Sequence, residues 1–219
     1  MTTRDPNGAG WTGAPHRPAR PRWRSVAVVA AMLVAFAPSA AAYEVSGVSF
    51  DRSQLVAGRP LALSGYGLHR YRLFIKLYAM ALYVDPAASL GADVTGDMSA
   101  DVVLDEDVPK RLELETFWAI PADIFRRLTR ERIEGAVTPG EYAQLAPQVE
   151  ALNALYEDVE PGDRYAITYV PGLGTELAKN GESKGVVAGE EFARAMFGIW
   201  LGEKPFDRKL RAQLLEDRK

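Results

Sequence analysis

The chain has 219 residues, no cysteine and a formal net charge of −3. Five of its 26 basic and one of its 29 acidic residues precede position 43, so the remainder holds 21 against 28, a net of −7. That balance leaves no broad electrostatic footprint for nucleic acid or for an anionic membrane. The missing cysteines exclude disulfides, thiolate metal centres, iron–sulfur clusters and a cysteine nucleophile. His69 is the one histidine beyond the first 42 residues, which makes a two-histidine metal site hard to build. No metal and no cofactor are expected.

Residues 1–24 are polar and rich in Pro and Arg, and Ser25–Ala37 is an uninterrupted apolar run. The run is too short to span a bilayer comfortably. Pro38, Ser39 and Ala40-Ala41-Ala42 follow. A basic segment, a short apolar segment and small residues at a cleavage point are the parts of a secretory signal peptide. The expectation is a signal peptide over 1–42, cut after Ala42, and a single domain over 43–219. The product is then periplasmic or secreted, with no integral membrane span after cleavage. An uncleaved anchor is the alternative. No cysteine follows for lipid attachment, and no Arg-Arg pair marks a twin-arginine signal.

Val45–Phe50 and Leu61–Leu63 read as short strands around a turn at Ala57-Gly58-Arg59-Pro60. Arg72–Val84 is rich in strand formers and suits the centre of a sheet. Ala87–Leu90 reads as a helical turn. In Lys110–Trp118, Leu112, Leu114 and Thr116 alternate with Arg111, Glu113 and Glu115, which predicts a strand with one wet face. Pro121–Val137 carries Ile124, Phe125, Leu128 and Ile133 at helical spacing. Thr138-Pro139-Gly140-Glu141 is a capping box that opens a second helix running to about Tyr156. Arg164–Val170, Thr175–Lys179 and Gly185–Ala188 read as a meander, turned at Pro171-Gly172-Leu173-Gly174 and at Asn180-Gly181. Helices over Glu190–Leu201 and Phe206–Leu215 complete an α+β order.

No nucleophile elbow, zinc-protease helix, Walker loop or dinucleotide fingerprint is present. The acidic stretch from Asp97 to Asp107 lacks the spacing of a calcium loop and reads as solvated. Arg126, Arg127, Arg130 and Arg132 crowd one helix, where Asp123, Glu131 and Glu134 can pair with them; an exposed basic stripe for a phosphate or a protein partner is the other possibility. The remaining candidate is Gly65-Tyr66-Gly67-Leu68-His69-Arg70-Tyr71-Arg72. Its glycines allow tight turns before the long strand. Arg70 from such a turn could grip a carboxylate bidentately. Tyr78 shares strand parity with it if the strand is regular, so that a guanidinium and a phenol would clamp an acid headgroup.

Four stretches together resemble a known family: GYGLHRYRLFIKLYAMALYVD at 65–85, PKRLELETFW at 109–118, GDRYAITYVPGLGTELAKNG at 162–181 and GVVAGEEFARAMFGIWLGEKP at 185–205. The likeness is to the chalcone isomerase-like superfamily, in its bacterial exported branch. It implies an open-faced β-sandwich, a large antiparallel sheet with helices packed on one side. Plant enzymes of that superfamily close a chalcone to a flavanone with an arginine, a tyrosine and a threonine; related plant proteins bind fatty acids through arginine and tyrosine. The resemblance implies that Arg70 matches the family arginine, with His69 as a one-residue excess before it. Tyr78 stands where the enzymes have threonine, as in the fatty-acid-binding branch. Phe125 falls near the catalytic tyrosine, with Tyr142 as the only tyrosine nearby. Arg132 falls where the enzymes have asparagine and Lys184 where they have threonine or serine; with Phe125 these are expected at the pocket wall. Losing oriented hydroxyls at a developing oxyanion costs about 3–4 kcal/mol each. The expectation is therefore a non-catalytic binder of a fatty acid or similar amphiphilic carboxylate, held by Arg70 and Tyr78. An intramolecular lyase acting on a small enone is the alternative, and a protein-interaction module a further one.

Overall fold

The computed structural model describes residues 42–72, 74–88 and 99–215. Residues 1–41 of the expected leader, Asp97 and half of the helical turn expected at Ala87–Leu90 lie outside them. The described residues belong to one compact unit, Ser39–Lys219.

A short hairpin comes first, β1 (Tyr43–Val45) and β2 (Val48–Phe50). Seven strands then pair antiparallel in chain order: β3 (Ser53–Val56), β4 (Arg59–Tyr71), β5 (Ile75–Val84), β6 (Lys110–Thr116), β7 (Arg164–Val170), β8 (Gly174–Lys179) and β9 (Glu182–Val187). The helices are α1 (Ala100–Val103), α2 (Ala122–Ala136), α3 (Pro139–Asn153), α4 (Glu190–Leu201) and α5 (Arg208–Leu215). The Thr138 capping box forms as its spacing predicts. Asn180 and Gly181 both take positive φ in the β8–β9 turn, as a two-residue hairpin requires.

Side-chain alternation sends the two faces of the sheet to different partners. Met80, Leu82, Leu112, Leu114 and Ile167 pack with Ile133, Val149, Phe192, Phe197 and Leu214 of the helices. Ala79, Ala81 and Tyr83 face Val48 and Phe50 of the β1–β2 hairpin.

Two expectations need correction. The glycine-rich segment is not a turn; it is the second half of the 13-residue strand β4. Its glycines serve close approach, because a Cβ on Gly65 would meet the backbone carbonyl of Gln213 and one on Gly67 the side chains of Gln213 and Leu210, all in α5. Ser64 Oγ donates to the Leu214 carbonyl (3.2 Å), which ties the same helix to β4. The second face of β6 is also not wet. Glu113 is 2% exposed, held by Arg111 Nε at 2.9 Å and Arg164 at 3.2 Å. Arg164 also takes Glu115 (2.7 Å), donates to the Ser49 carbonyl (3.0 Å) and lies over the Phe50 ring. The pairing charges make this face tolerate cover that its composition alone would refuse.

Lys110, at the start of β6, is fully buried. Its Nζ donates to the Asp105 carbonyl (2.7 Å) and stands 4.7 Å from the Tyr169 ring centre. Burial pulls its pKa down to about 8, with Asp105 working in the other direction.

Candidate functional site

Between the helix-side face and the helices lies a cavity of about 280 Å³, close to the lower end of the ~300–1,000 Å³ usual for ligand sites. Met80 of β5, Leu112 and Leu114 of β6 and Ile167 of β7 form its floor. Phe125 and Leu128 of α2 make one wall, and Ile199 of α4 with Phe206 the other. The strands supply alternate residues to this surface and α2 supplies residues one turn apart, so the lining is nearly all apolar.

The polar exceptions are few and placed. Trp200 Nε1 donates to the Tyr78 hydroxyl at 3.2 Å, which leaves the phenol proton free to donate. Burial pushes the Tyr78 pKa well up, opposed by the Trp200 bond, so the phenol stays neutral at ordinary pH. Deeper in, Thr129 Oγ1 and Tyr156 Oη lie 3.1 Å apart, and burial pushes the Tyr156 phenol up to about 12. Arg132 is the single charged residue in the lining among the described residues. It is exposed, and its guanidinium carbon lies 4.3 Å from the Phe206 ring centre. Among the described residues it has no ion pair. Its neighbours on α2 do: Arg126 with Asp123, Arg127 with Glu131 and Arg130 with Glu150. Those three pairs use up the stripe that the sequence offered as a partner surface.

The sequence-derived candidates separate. Tyr78, Phe125 and Arg132 meet at this cavity. Arg70 is not among its lining; it is exposed and borders a different depression, of about 310 Å³, with Tyr66, Asp207, Lys209 and Gln213. The reason is a bulge. Tyr78 faces His69 across the strands, and the register then skips Leu77 so that Arg70 pairs with Lys76. His69, read as an excess residue, holds the position facing Tyr78. Its ring stacks on Tyr78 at 4.9 Å and meets the edge of Phe206 at the same distance. Its Nδ1 lies 2.8 Å from Asp207 Oδ2. Burial would raise the Asp207 carboxyl, but His69 and the N–H groups of Leu210 and Lys209 hold it below the usual range. Lys184 is also away from the cavity, on β9, paired with Glu182 at 3.0 Å and Glu157 at 3.1 Å.

Sequence reasoning missed Tyr156, Tyr165 and Trp200. Phe125 stacks on Tyr156 and meets Tyr165 edge-on, so the tyrosines beside it are these two and not Tyr142. Tyr156 follows α3 and Tyr165 is on β7; only the helix–sheet packing joins them, and no spacing along the chain announces it. Trp200 was legible as an α4 residue but not as the donor to Tyr78. A larger cleft, of about 540 Å³, is bordered by charges of both signs, Glu141, Glu191, Arg194 and Arg211, set among apolar residues such as Leu104, Val137 and Leu201.

The fold is similar to the crystal structure of a fatty-acid binding protein of Arabidopsis thaliana, with a TM-score of 0.62 and 19% identity over 80% of this chain and 96% of that one. At that identity the likeness speaks for the fold alone. No curated protein matches the sequence. The sequence profile of the chalcone isomerase-like family matches residues 42–216, well over half of the chain, and the antiparallel sheet with helices on one side is the open-faced arrangement of that family. The chain belongs to the chalcone isomerase-like family.

Proposed function

We propose that this is an exported, non-catalytic protein that holds a fatty acid or similar amphiphilic carboxylate in the cavity under α2. The observation that carries the proposal is Arg132, a guanidinium with no ion pair among the described residues, beside a largely apolar cavity. A carboxylate there gains a charge-assisted, bidentate partner, while its tail replaces water against Met80, Leu112, Leu114 and Ile167. The Tyr78 hydroxyl adds a neutral donor. The fatty-acid binding of the Arabidopsis relative of the fold supports the same ligand class. The clamp differs from the one suggested by the sequence, with Arg132 in the place proposed for Arg70. The leader at 1–42 supports export to the periplasm or beyond.

Residues 43–219, exported in a bacterial host and extracted with organic solvent, are expected to yield a stoichiometric acyl ligand by mass spectrometry. The Arg132→Ala protein is expected to be empty and the Arg70→Ala protein loaded. Loss in Arg70→Ala alone would return the clamp to Arg70. An empty wild type sinks the proposal in this form. Turnover of a chalcone by the ligand-free protein would overturn its non-catalytic part.

A further inference from the structure

We propose that the tip of the β4–β5 hairpin, together with Trp118, docks on the anionic surface of a lipid bilayer. Four large apolar side chains are exposed there: Tyr71 (48%), Phe74 (86%), Ile75 (42%) and Trp118 (54%). Tyr71 and Ile75 are cross-strand partners, and the Trp118 indole donates to the Lys76 carbonyl at 2.7 Å. The four side chains therefore belong to one patch and are not scattered singly over the surface.

The charges of the patch are of one sign. Arg70, Arg72 and Lys76 are exposed, and no acidic residue occurs from His69 to Leu77. Arg70 and Lys76 face each other across the strands, and Arg72 lies over the Tyr71 ring at 5.2 Å. Asp207, which borders the same depression as Arg70, is engaged with His69. Phenylalanine and isoleucine at a strand turn suit the acyl boundary, tyrosine and tryptophan the headgroup level, and flanking cations the lipid phosphates. Exposed aromatic side chains ringed by charges of one sign complement lipid phosphates, which favours an anionic bilayer over a protein. The net negative charge of the whole chain does not oppose this, because screening over about 8 Å leaves the tip to act locally.

Leu77, next to Lys76, and Ile120, two residues past Trp118, both line the cavity. Docking by the tip thus sets the cavity beside the bilayer, where acids could pass between the two. That use rests on the function proposed above; the docking itself stands on the patch.

The test is co-sedimentation of residues 43–219 with vesicles of phosphatidylcholine, alone or mixed with phosphatidylglycerol. Binding to the mixed vesicles is expected, weakening with salt. Phe74→Ser is expected to bind roughly tenfold less. The Arg70→Gln/Arg72→Gln/Lys76→Gln triple variant is expected to lose on the order of a hundredfold, at about fivefold per cation. In a Trp200→Phe background Trp118 is the sole remaining tryptophan of residues 43–219, and bromine-labelled lipid is expected to quench it. Folded protein that ignores the anionic vesicles at low salt overturns the docking, as does binding unchanged in both variants or confined to vesicles that carry membrane proteins. Acyl content measured on the same samples separates the two proposals. Loaded protein that ignores vesicles overturns the docking alone. Vesicle-bound protein with no acyl ligand overturns the acid reading alone.

Discussion

On the face of the sheet covered by β1 and β2, Glu113 is buried with two arginines on it, and one of those also takes Glu115. On the face covered by the helices, Arg132 stands beside an apolar cavity with no carboxylate within ion-pair distance among the described residues. The first arrangement is closed: each charge offsets the burial of another, and nothing is left over for a ligand. The second is open, with a cation and a neutral phenol kept free where apolar surface is also free. With the function proposed above, the difference assigns stability to one face and binding to the other, and substitutions can test that division.

The largest expected effect is on the closed face. Glu113→Ala leaves Arg111 and Arg164 partly buried without their shared partner, and is expected to cost about 3–5 kcal/mol of stability. Urea unfolding reads the loss, while acyl content per folded molecule is expected to hold. On the open face, Arg132→Ala is expected to leave the unfolding curve in place and to weaken fatty-acid affinity roughly ten- to a hundredfold, measured by titration calorimetry on delipidated protein. Equal losses of stability and affinity in either variant would break the division.

Lys110 sharpens it from within the helix-side core. Its folded pKa of about 8 lies below the ordinary 10.5. Between those values the unfolded chain holds more of this proton than the folded chain, so stability rises with pH. From about pH 7.5 to 9.5, before tyrosines ionise, this group is expected to add ~2 kcal/mol. Lys110→Met is expected to flatten that rise, read as unfolding free energy against pH. The smallest effect expected is Tyr78→Phe. It removes one neutral donor and is expected to weaken acid binding about fivefold. That loss is expected to be the same at pH 6 and pH 9, because burial keeps the phenol protonated throughout.

The elements with strong local signals were legible in the sequence. The Thr138 capping box, the Asn180-Gly181 turn and the helix over Glu190–Leu201 need only a few neighbouring residues to specify them. The family likeness supplied the arrangement of sheet and helices, which periodicity alone left at α+β. The failures share a cause in long-range structure. Arg70 was joined to Tyr78 by counting along a regular strand, and the bulge at Leu77 breaks that count. The wet face assigned to β6 ignored Arg164, which reaches Glu113 from another strand. Gly65 and Gly67 signal a turn locally, yet their reason is a helix nearly 150 positions away. Trp200 and Tyr156 reach the cavity only through packing that no spacing encodes.

The contact between α5 and β4 also sets an order in time. Strand β4 emerges in synthesis well before the helix that covers Gly65 and Gly67. Phe206, which walls the cavity and abuts His69, arrives in the same late segment. Until then the helix-side flank of β4 has no cover and the cavity lacks a wall. The growing chain therefore passes through a stage with exposed strand and apolar surface, the kind of species that holdase chaperones bind. On the function proposed above, closure around a lipid tail coincides with the docking of this helix, so that an acid present at that moment can be enclosed.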